Sequence, residues 1–464
     1  MEKTYTTINL SPAEEGLFFQ NDLGITQIGD PFILKASDDT YYLYCTSAAS
    51  GYYCWKSKDL VHWSGKKLCY VKKSDSWCTD SFWAPEVVEY NNKYYMYYTA
   101  RSGGESLRIG LAVSDQPQGP FLDVENRPFF DLGYAAIDAN VLIDADGSKY
   151  LYFSRDCSEN EIGNVRKSEI YGVALSDDML SIVGEPVLLL TPDQPWELSS
   201  TNPLWNEGPE IMVRNSTYYL SYSANCYADK AYSIGYATSS SPLGPYKKYE
   251  NNPILTAGTS KVISGPGHHS FTVSPDGSEL WMAYHTHVDP KTGGGNRKVN
   301  IGRVLFTDTG ELRVNGPIVC LQPVPADGSF TNLAKEAKIV SDIPDSALLS
   351  DDIFTLHKKD AHYDCRIPVN ADTAEIILEF QEPVTLSHIL VYKGTGGSGD
   401  FSSVKAVFDD SLITEECLLS EDPEERSAIL SFSEQTVTQV KLILVPREGK
   451  KEIALSEIML LRQN

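Results

Sequence analysis

Across 464 residues, no apolar run approaches the ~18 needed for a helical membrane span. The first residues, MEKTYTTINLSPAEEG, lack the apolar stretch of a secretory signal. No CxxC pair of the metal-binding kind occurs, and nine cysteines cannot all pair with one another. The expectation is a cytoplasmic protein with reduced, mostly buried thiols. Positive charge is scarce: 39 Lys and Arg stand against 63 Asp and Glu, a formal net charge of −24. A polyanion of that size repels nucleic acid and anionic membranes, so neither is expected as a partner. Tryptophan is absent beyond residue 281.

Aromatic residues, in contrast, are plentiful. They make up 11% of the chain, with 27 tyrosines, which suits β-structure and sugar-stacking surfaces. They also recur in a pattern. An apolar run, a polar turn and an aromatic-rich run appear in PFILKASDDTYYLYCTS (31–47) and PEVVEYNNKYYMYYTA (85–100). The same order returns in ANVLIDADGSKYLYFSR (139–155), PEIMVRNSTYYLSYSA (209–224) and HSFTVSPDGSELWMAYHT (269–286). The turns carry hairpin chemistry, such as Asn91-Asn92, Asp146-Gly147 and Asp276-Gly277. A third strand follows each pair, as in IGLAVSD (109–115) and IGYATSS (234–240).

Five such units, about 54 to 70 residues apart, predict a five-bladed β-propeller over residues 1–325. Near residue 326 the repeat ends. Alternating segments such as AEIILEFQEPVTLSHILVYKG (374–394) and TQVKLILV (438–445) predict a smaller β-sandwich over 326–464. The fold class expected is all-β throughout.

The first strand of each propeller blade lines the central channel, so residues at equivalent strand starts meet at one mouth. Aligning the repeats places Asp30, Ala84, Asp138, Gly208 and His268 in one register, with Gly29, Trp83, Ile137, Glu207 and Gly267 one step before. Any one of the acids alone reads as a turn or cap residue. Three acids gathered around an axis repel one another and need a use. A metal site is one such use. Glycosidic hydrolysis is the other, with one carboxylic acid to protonate the leaving oxygen and one carboxylate to activate water. Glu86 and Glu210 share a register inside their strands, which argues for a recurrent strand role rather than a catalytic one. His269 reads as packing.

The motifs GDPFIL (29–34), FWAPEVV (82–88), AIDANVLIDADG (136–147), NEGPEI (206–211) and GPGHHSF (265–271) resemble those of glycoside hydrolase family 43 and occur in its order over about residues 20–325. The resemblance implies an inverting mechanism, with Asp30 as general base, Asp138 as pKa modulator and Glu207 as general acid. It implies that His268 lies under the site, where many relatives hold a Ca2+ or Na+ ion in the channel; no organic cofactor is implied. Trp83 matches a wall of the sugar pocket, and Arg297 a contact to the sugar; Trp205, Phe82 and Trp77 are further candidates for that wall. The retaining, invertase-type relatives carry an NDPNG-like motif that this chain lacks, although SRDC (154–157) faintly resembles their RDP motif.

The expected substrates are hemicellulose- or pectin-derived oligosaccharides, cut in exo fashion at α-L-arabinofuranosyl or β-D-xylosyl linkages. An endo-acting arabinanase and a non-catalytic glycan-binding propeller are the alternatives. NLAKEAKIVSD and KEIALSEIMLL in the second domain are similar to discoidin-like sandwiches, which bind glycans in relatives. With no tryptophan there, a structural role is the expectation, and Phe354, His357, Tyr363 and Tyr392 are the candidate glycan contacts.

Overall fold

The computed structural model describes residues 5–14, 16–104, 106–258, 260–354, 364–394, 400–422 and 425–464. The five repeats fold as five blades of four antiparallel strands each. Blade 1 comprises Thr26–Lys35, Tyr41–Thr46, Gly51–Ser57 and Trp63–Val71; blade 2 comprises Cys78–Tyr90, Lys93–Ser102, Leu107–Ser114 and Leu122–Asp123. Blade 3 is built from Ala136–Ile143, Lys149–Arg155, Val165–Leu175 and Ile182–Leu190, and blade 4 from Leu204–Arg214, Thr217–Ala224, Ser233–Ser239 and Lys247–Lys248. Blade 5 takes Gly267–Val273, Leu280–His287, Arg297–Phe306 and Leu312–Asn315. Its third strand also pairs with the start of blade 1, Arg297 against Ile28 and Lys298 against Thr26, which ties the last blade to the first.

Tyrosine and aliphatic side chains fill the spaces between blades. Tyr44, Tyr52, Tyr70, Phe82, Met96 and Tyr98 form one such cluster, and Leu151, Phe153, Val173 and Met179 belong to another. The alternation read from the sequence is the physical cause, because successive strand residues point to opposite faces of a blade.

Every inner strand has the same defect. The pairing register shifts between Gly29 and Phe32, Trp83 and Glu86, Ile137 and Asn140, Glu207 and Glu210, and Gly267 and Ser270. The residue after the first of each pair has positive φ: Asp30 at 54°, Ala84 at 40°, Asp138 at 56°, Gly208 at 55° and His268 at 43°. Four of these five are not glycine, so the backbone is strained in a way that cores seldom tolerate and functional sites often use. The bulge turns each of these residues out of the ladder and re-aims its side chain.

The compact units do not follow a single cut at residue 325. One unit is Asp22–Val273 with Leu280–Gly302; the other is Met1–Asn21, Ser274–Glu279 and Arg303–Asn464. The reason is non-local pairing. Thr6–Ile8 runs parallel to Leu412–Thr414, and Phe18–Phe19 pairs with Gln322–Pro323. The turn Ser274–Glu279 is held by Ala326, whose N–H donates to Glu279 Oε2 at 2.9 Å.

Within that second unit, the two 20-residue strands Ala374–Lys393 and Ser427–Pro446 form the sandwich. Their pairing register shifts between Glu379 and Val384 and between Leu386 and His388. Leu378, Ile389, Val404, Leu430, Leu442 and Leu460 are among the buried side chains between them. Phe354 and Tyr392 stack on each other at 4.2 Å and are buried, so they pack the interior and offer no sugar platform. His357 and Tyr363 lie outside the described residues. Among the described residues, no helix is long and apolar enough to cross a membrane.

Candidate active site

Asp30, Asp138, Glu207 and His268 come together through the five bulges, as the repeat alignment requires. Asp30 is the most heavily partnered. Its Oδ1 accepts from Arg297 Nη1 at 2.7 Å, and His268 Nδ1 and His285 Nδ1 lie 3.3 and 3.6 Å from the same oxygen. Thr46 donates its hydroxyl to Oδ2 at 2.5 Å. Burial alone would raise the Asp30 pKa, but the Arg297 charge, then the two imidazoles and the Thr46 hydrogen bond, hold it well below the ordinary carboxylate range. Gly29 makes room for this ion pair: a Cβ there would sit 2.0 Å from Arg297 Nη2.

Glu207 is tuned the opposite way. Burial raises its pKa well above the ordinary value, and the Asp138 charge adds to the shift; the Tyr232 hydroxyl, which donates to Oε1 at 2.9 Å, offsets part of it. Asp138 is also raised, first by burial and then by Asp30 and Asp156, with His268 and the Gly208 N–H opposing. Its Oδ2 accepts that N–H at 3.1 Å. Tyr232 stacks on His285 with ring centroids 5.5 Å apart, so the partner of the raised acid rests on a partner of the lowered one. One mouth thus holds a carboxylate kept ionised and a carboxylic acid kept protonated, the division that acid–base hydrolysis requires.

The candidates for sugar contacts divide. Arg297 is buried on Asp30 and lies over the Tyr227 ring at 4.8 Å. It also lines an open cavity of about 490 Å3 with Thr46, Ser47, Ala48 and Asn296. Trp83 is half-buried against Leu107, Ala135 and Ile137, next to Asp138. Trp205 is half-buried two residues before Glu207. Phe82 does not wall a pocket: it is 2% exposed and packs among Tyr52, Tyr70 and Tyr98 at 6.0 to 6.5 Å. Alternation explains the difference, because Phe82 points to the inter-blade side of its strand. Trp77 joins the same aromatic cluster.

Sequence reasoning missed a ring of supporting side chains on the second strands. Thr46, Thr99, Ser154, Ser223 and His285 stand directly across from Gly29, Trp83, Ile137, Glu207 and Gly267. Thr46 Oγ1 accepts the bulge N–H of Ala84 at 2.8 Å, and Thr99 Oγ1 that of Asp138 at 3.1 Å. Ser223 Oγ accepts from His268 N–H at 2.8 Å, and His285 Nδ1 from Asp30 N–H at 3.2 Å. Each link therefore satisfies, from one blade, the donor that the bulge frees in the next. The signal was present as a small hydroxyl residue recurring near the end of four of the five aromatic runs.

Deeper in the channel, Glu86 and Glu210 have the shared strand role expected of them. Asn140 donates to Glu86 Oε2 at 2.8 Å and to Glu210 Oε2 at 2.6 Å, and the N–H groups of Val141 and Phe271 take the remaining oxygens. His269 bonds Ser221 at 2.6 Å, and its pKa is pushed down to about 3, by burial first. These carboxylates are occupied by N–H donors, and among the described residues no three His, Cys, Asp or Glu side chains converge to hold an ion. His268 is placed as a partner of Asp30.

These shifts fix a pH dependence of stability. Asp30 has a folded pKa below its unfolded value, so its contribution is present above about pH 4 and is lost as pH falls. Glu86, Asp138, Glu207 and Glu210 have folded pKa values above their unfolded ones, by burial first. Their cost is absent below about pH 4.5 and grows as pH rises, because the native state then binds more protons than the unfolded chain. The melting temperature is expected to peak near about pH 5 and to decline toward pH 8. Glu86→Gln removes one of these titrations and should flatten the decline, as calorimetry across a buffer series would record.

A family model described as glycosyl hydrolases family 43 matches residues 19–312. The chain is 28% identical over 292 residues to a β-D-galactofuranosidase, xynD, of Aspergillus niger, covering 59% of this chain and 78% of that one. It is 30% identical over 235 residues to a xylosidase/arabinosidase of Bacteroides ovatus, covering 47% and 67%. The crystal structure of a thermostable family-43 glycoside hydrolase aligns with a TM-score of 0.65 at 49% identity, covering 67% of this chain and 100% of that one. Bulged inner strands, opposed carboxyl tuning and the sequence match thus agree, and the chain belongs to glycosyl hydrolases family 43.

Proposed function

We propose that this protein is an inverting, exo-acting glycosidase that removes arabinofuranosyl or xylosyl units from plant-derived oligosaccharides. The observation that carries the reading is the opposite tuning of Asp30 and Glu207 at one channel mouth. Asp30, ionised against Arg297, takes a proton from water as the water attacks the anomeric carbon. Glu207, kept protonated by burial and by Asp138, gives its proton to the departing oxygen. One turn leaves Asp30 protonated and Glu207 ionised, and exchange with solvent restores both. Inversion requires room for the water, so the two carboxyl groups should stand about 6.5–9.5 Å apart around bound substrate.

The cavity beside Arg297 and Thr46, about 490 Å3, has the size of a small-ligand site. The names of the two relatives above, a galactofuranosidase and a xylosidase/arabinosidase, support pentose or furanose substrates. A panel of nitrophenyl arabinofuranoside, xyloside and galactofuranoside, with the first-formed anomer followed by NMR, tests both halves of the reading. Product of inverted configuration is the expected result; retained configuration overturns the mechanism. Digestion of a long arabinan should release monosaccharide without early shortening of the polymer, and rapid shortening overturns the exo assignment.

A further inference from the structure

Ser154 occupies the slot where the ring of inter-blade hydrogen bonds is broken. In the other four links a second-strand side chain accepts the bulge N–H of the next blade. Ser154 stands opposite Ile137, and by analogy with the other four links its counterpart is the N–H of Gly208. That N–H goes instead to Asp138 Oδ2, at 3.1 Å. The Ser154 hydroxyl is left fully buried, with no hydrogen-bond partner among the described residues. A buried hydroxyl in that state costs free energy that an alanine would not. Its neighbours in the ring show what it is built to do.

We propose that Ser154 is a positioning residue, the standby acceptor for the Gly208 N–H, which releases the Asp138 carboxylate when substrate is bound. The inference rests on reading Asp138 and Glu207 as modulator and acid. In the resting site one oxygen of Asp138 is committed to the peptide that follows Glu207. Turning that oxygen toward a sugar hydroxyl or toward Glu207 would strand a buried backbone N–H, an arrangement that native structures avoid. With Ser154 as the second acceptor, the N–H changes partners and is never unpaired. Asp138 loses a donor that lowers its pKa and becomes more basic beside Glu207. The acceptor needed in the other four links at all times is needed here only during turnover.

The first test does not depend on activity. Amide hydrogen exchange at Gly208 is compared in the full chain for wild type, Ser154→Ala, Asp138→Ala and the double variant. Each single variant keeps one acceptor, so protection should persist in both and fall about tenfold or more only in the double. Equal exposure in Asp138→Ala and the double variant overturns the proposal. Where Asp138→Ala does not fold, Asp138→Gly serves, because φ at this position is 56° and glycine relieves it.

The second test is kinetic. Ser154→Ala should lower kcat about tenfold on substrates with poor leaving groups, with KM unchanged and a melting temperature no lower than that of the wild type. Ser154→Thr should keep the wild-type rate, because threonine fills this slot at positions 46 and 99. A wild-type kcat in Ser154→Ala, or a loss matched by a fall in melting temperature, overturns the release role. Equal hydrolysis by wild type and Asp138→Ala would instead overturn the role given to Asp138, and the exchange experiment separates that failure from the failure of the acceptor swap.

Discussion

Glu207→Ala is expected to slow hydrolysis of oligosaccharides by about 100- to 10,000-fold, the usual worth of a general acid. On a dinitrophenyl glycoside the loss should be far smaller. The phenolate leaves without a proton, so the group that supplies one is no longer needed. The site geometry makes this test clean. Glu207 is held protonated mainly by burial, and alanine removes a carboxyl that is costly to bury. The Tyr232 hydroxyl loses its acceptor, but the ring remains stacked on His285, so the Asp30 side of the site keeps its support. The pH profile supplies a second readout. With Glu207 present, kcat/KM should fall as pH rises through its raised pKa; in Glu207→Ala that alkaline limb should vanish for the activated substrate. Equal losses on both substrates would remove Glu207 from the acid role.

The propeller and its three acids were legible because the fold is a repeat. Each blade writes the same strand–turn–strand pattern, so equivalence in sequence becomes proximity around the axis. Even the positive-φ position follows from the alignment: the five residues placed in one register are the five that bulge. What the pattern could not show were the links between repeats. The pairing of Thr6–Ile8 with Leu412–Thr414 joins segments some 400 residues apart and leaves no local trace, which is why residues before Asn21 sort with the second unit. Phe82 was misplaced for a different reason. It neighbours Trp83, and only the blade's register tells which of two adjacent aromatics faces the core. His285 was hidden because it fills with imidazole a slot that the other blades fill with a hydroxyl. Glu86 and Glu210 were kept out of the catalytic set by their shared register, and the amide of Asn140 that bridges them supplies the physical content of that choice.

Asp30→Asn should reduce turnover by about 100- to 10,000-fold on every substrate, activated or not, because water must be deprotonated whatever leaves. That uniform loss is the counterpart of the selective one at Glu207, and the pair of variants assigns base and acid without reference to any relative. The substitution carries a structural penalty as well. Arg297 is 7% exposed, and its guanidinium is balanced by the Asp30 carboxylate at 2.7 Å. Neutralising Asp30 leaves a buried cation unpaired, at a cost of about 3–5 kcal/mol for a pair of this kind. The melting temperature of Asp30→Asn should therefore fall, and a lost rate could be blamed on that fall. Asp30→Asn with Arg297→Met separates the two effects. Removing both charges should recover most of the stability, since an apolar replacement of a buried ion pair is often neutral. The rate should stay low, because no base has been restored and the cavity has also lost Arg297. Recovery of rate along with stability would show that Asp30 acts through the integrity of the site and not as the group that takes the proton from water.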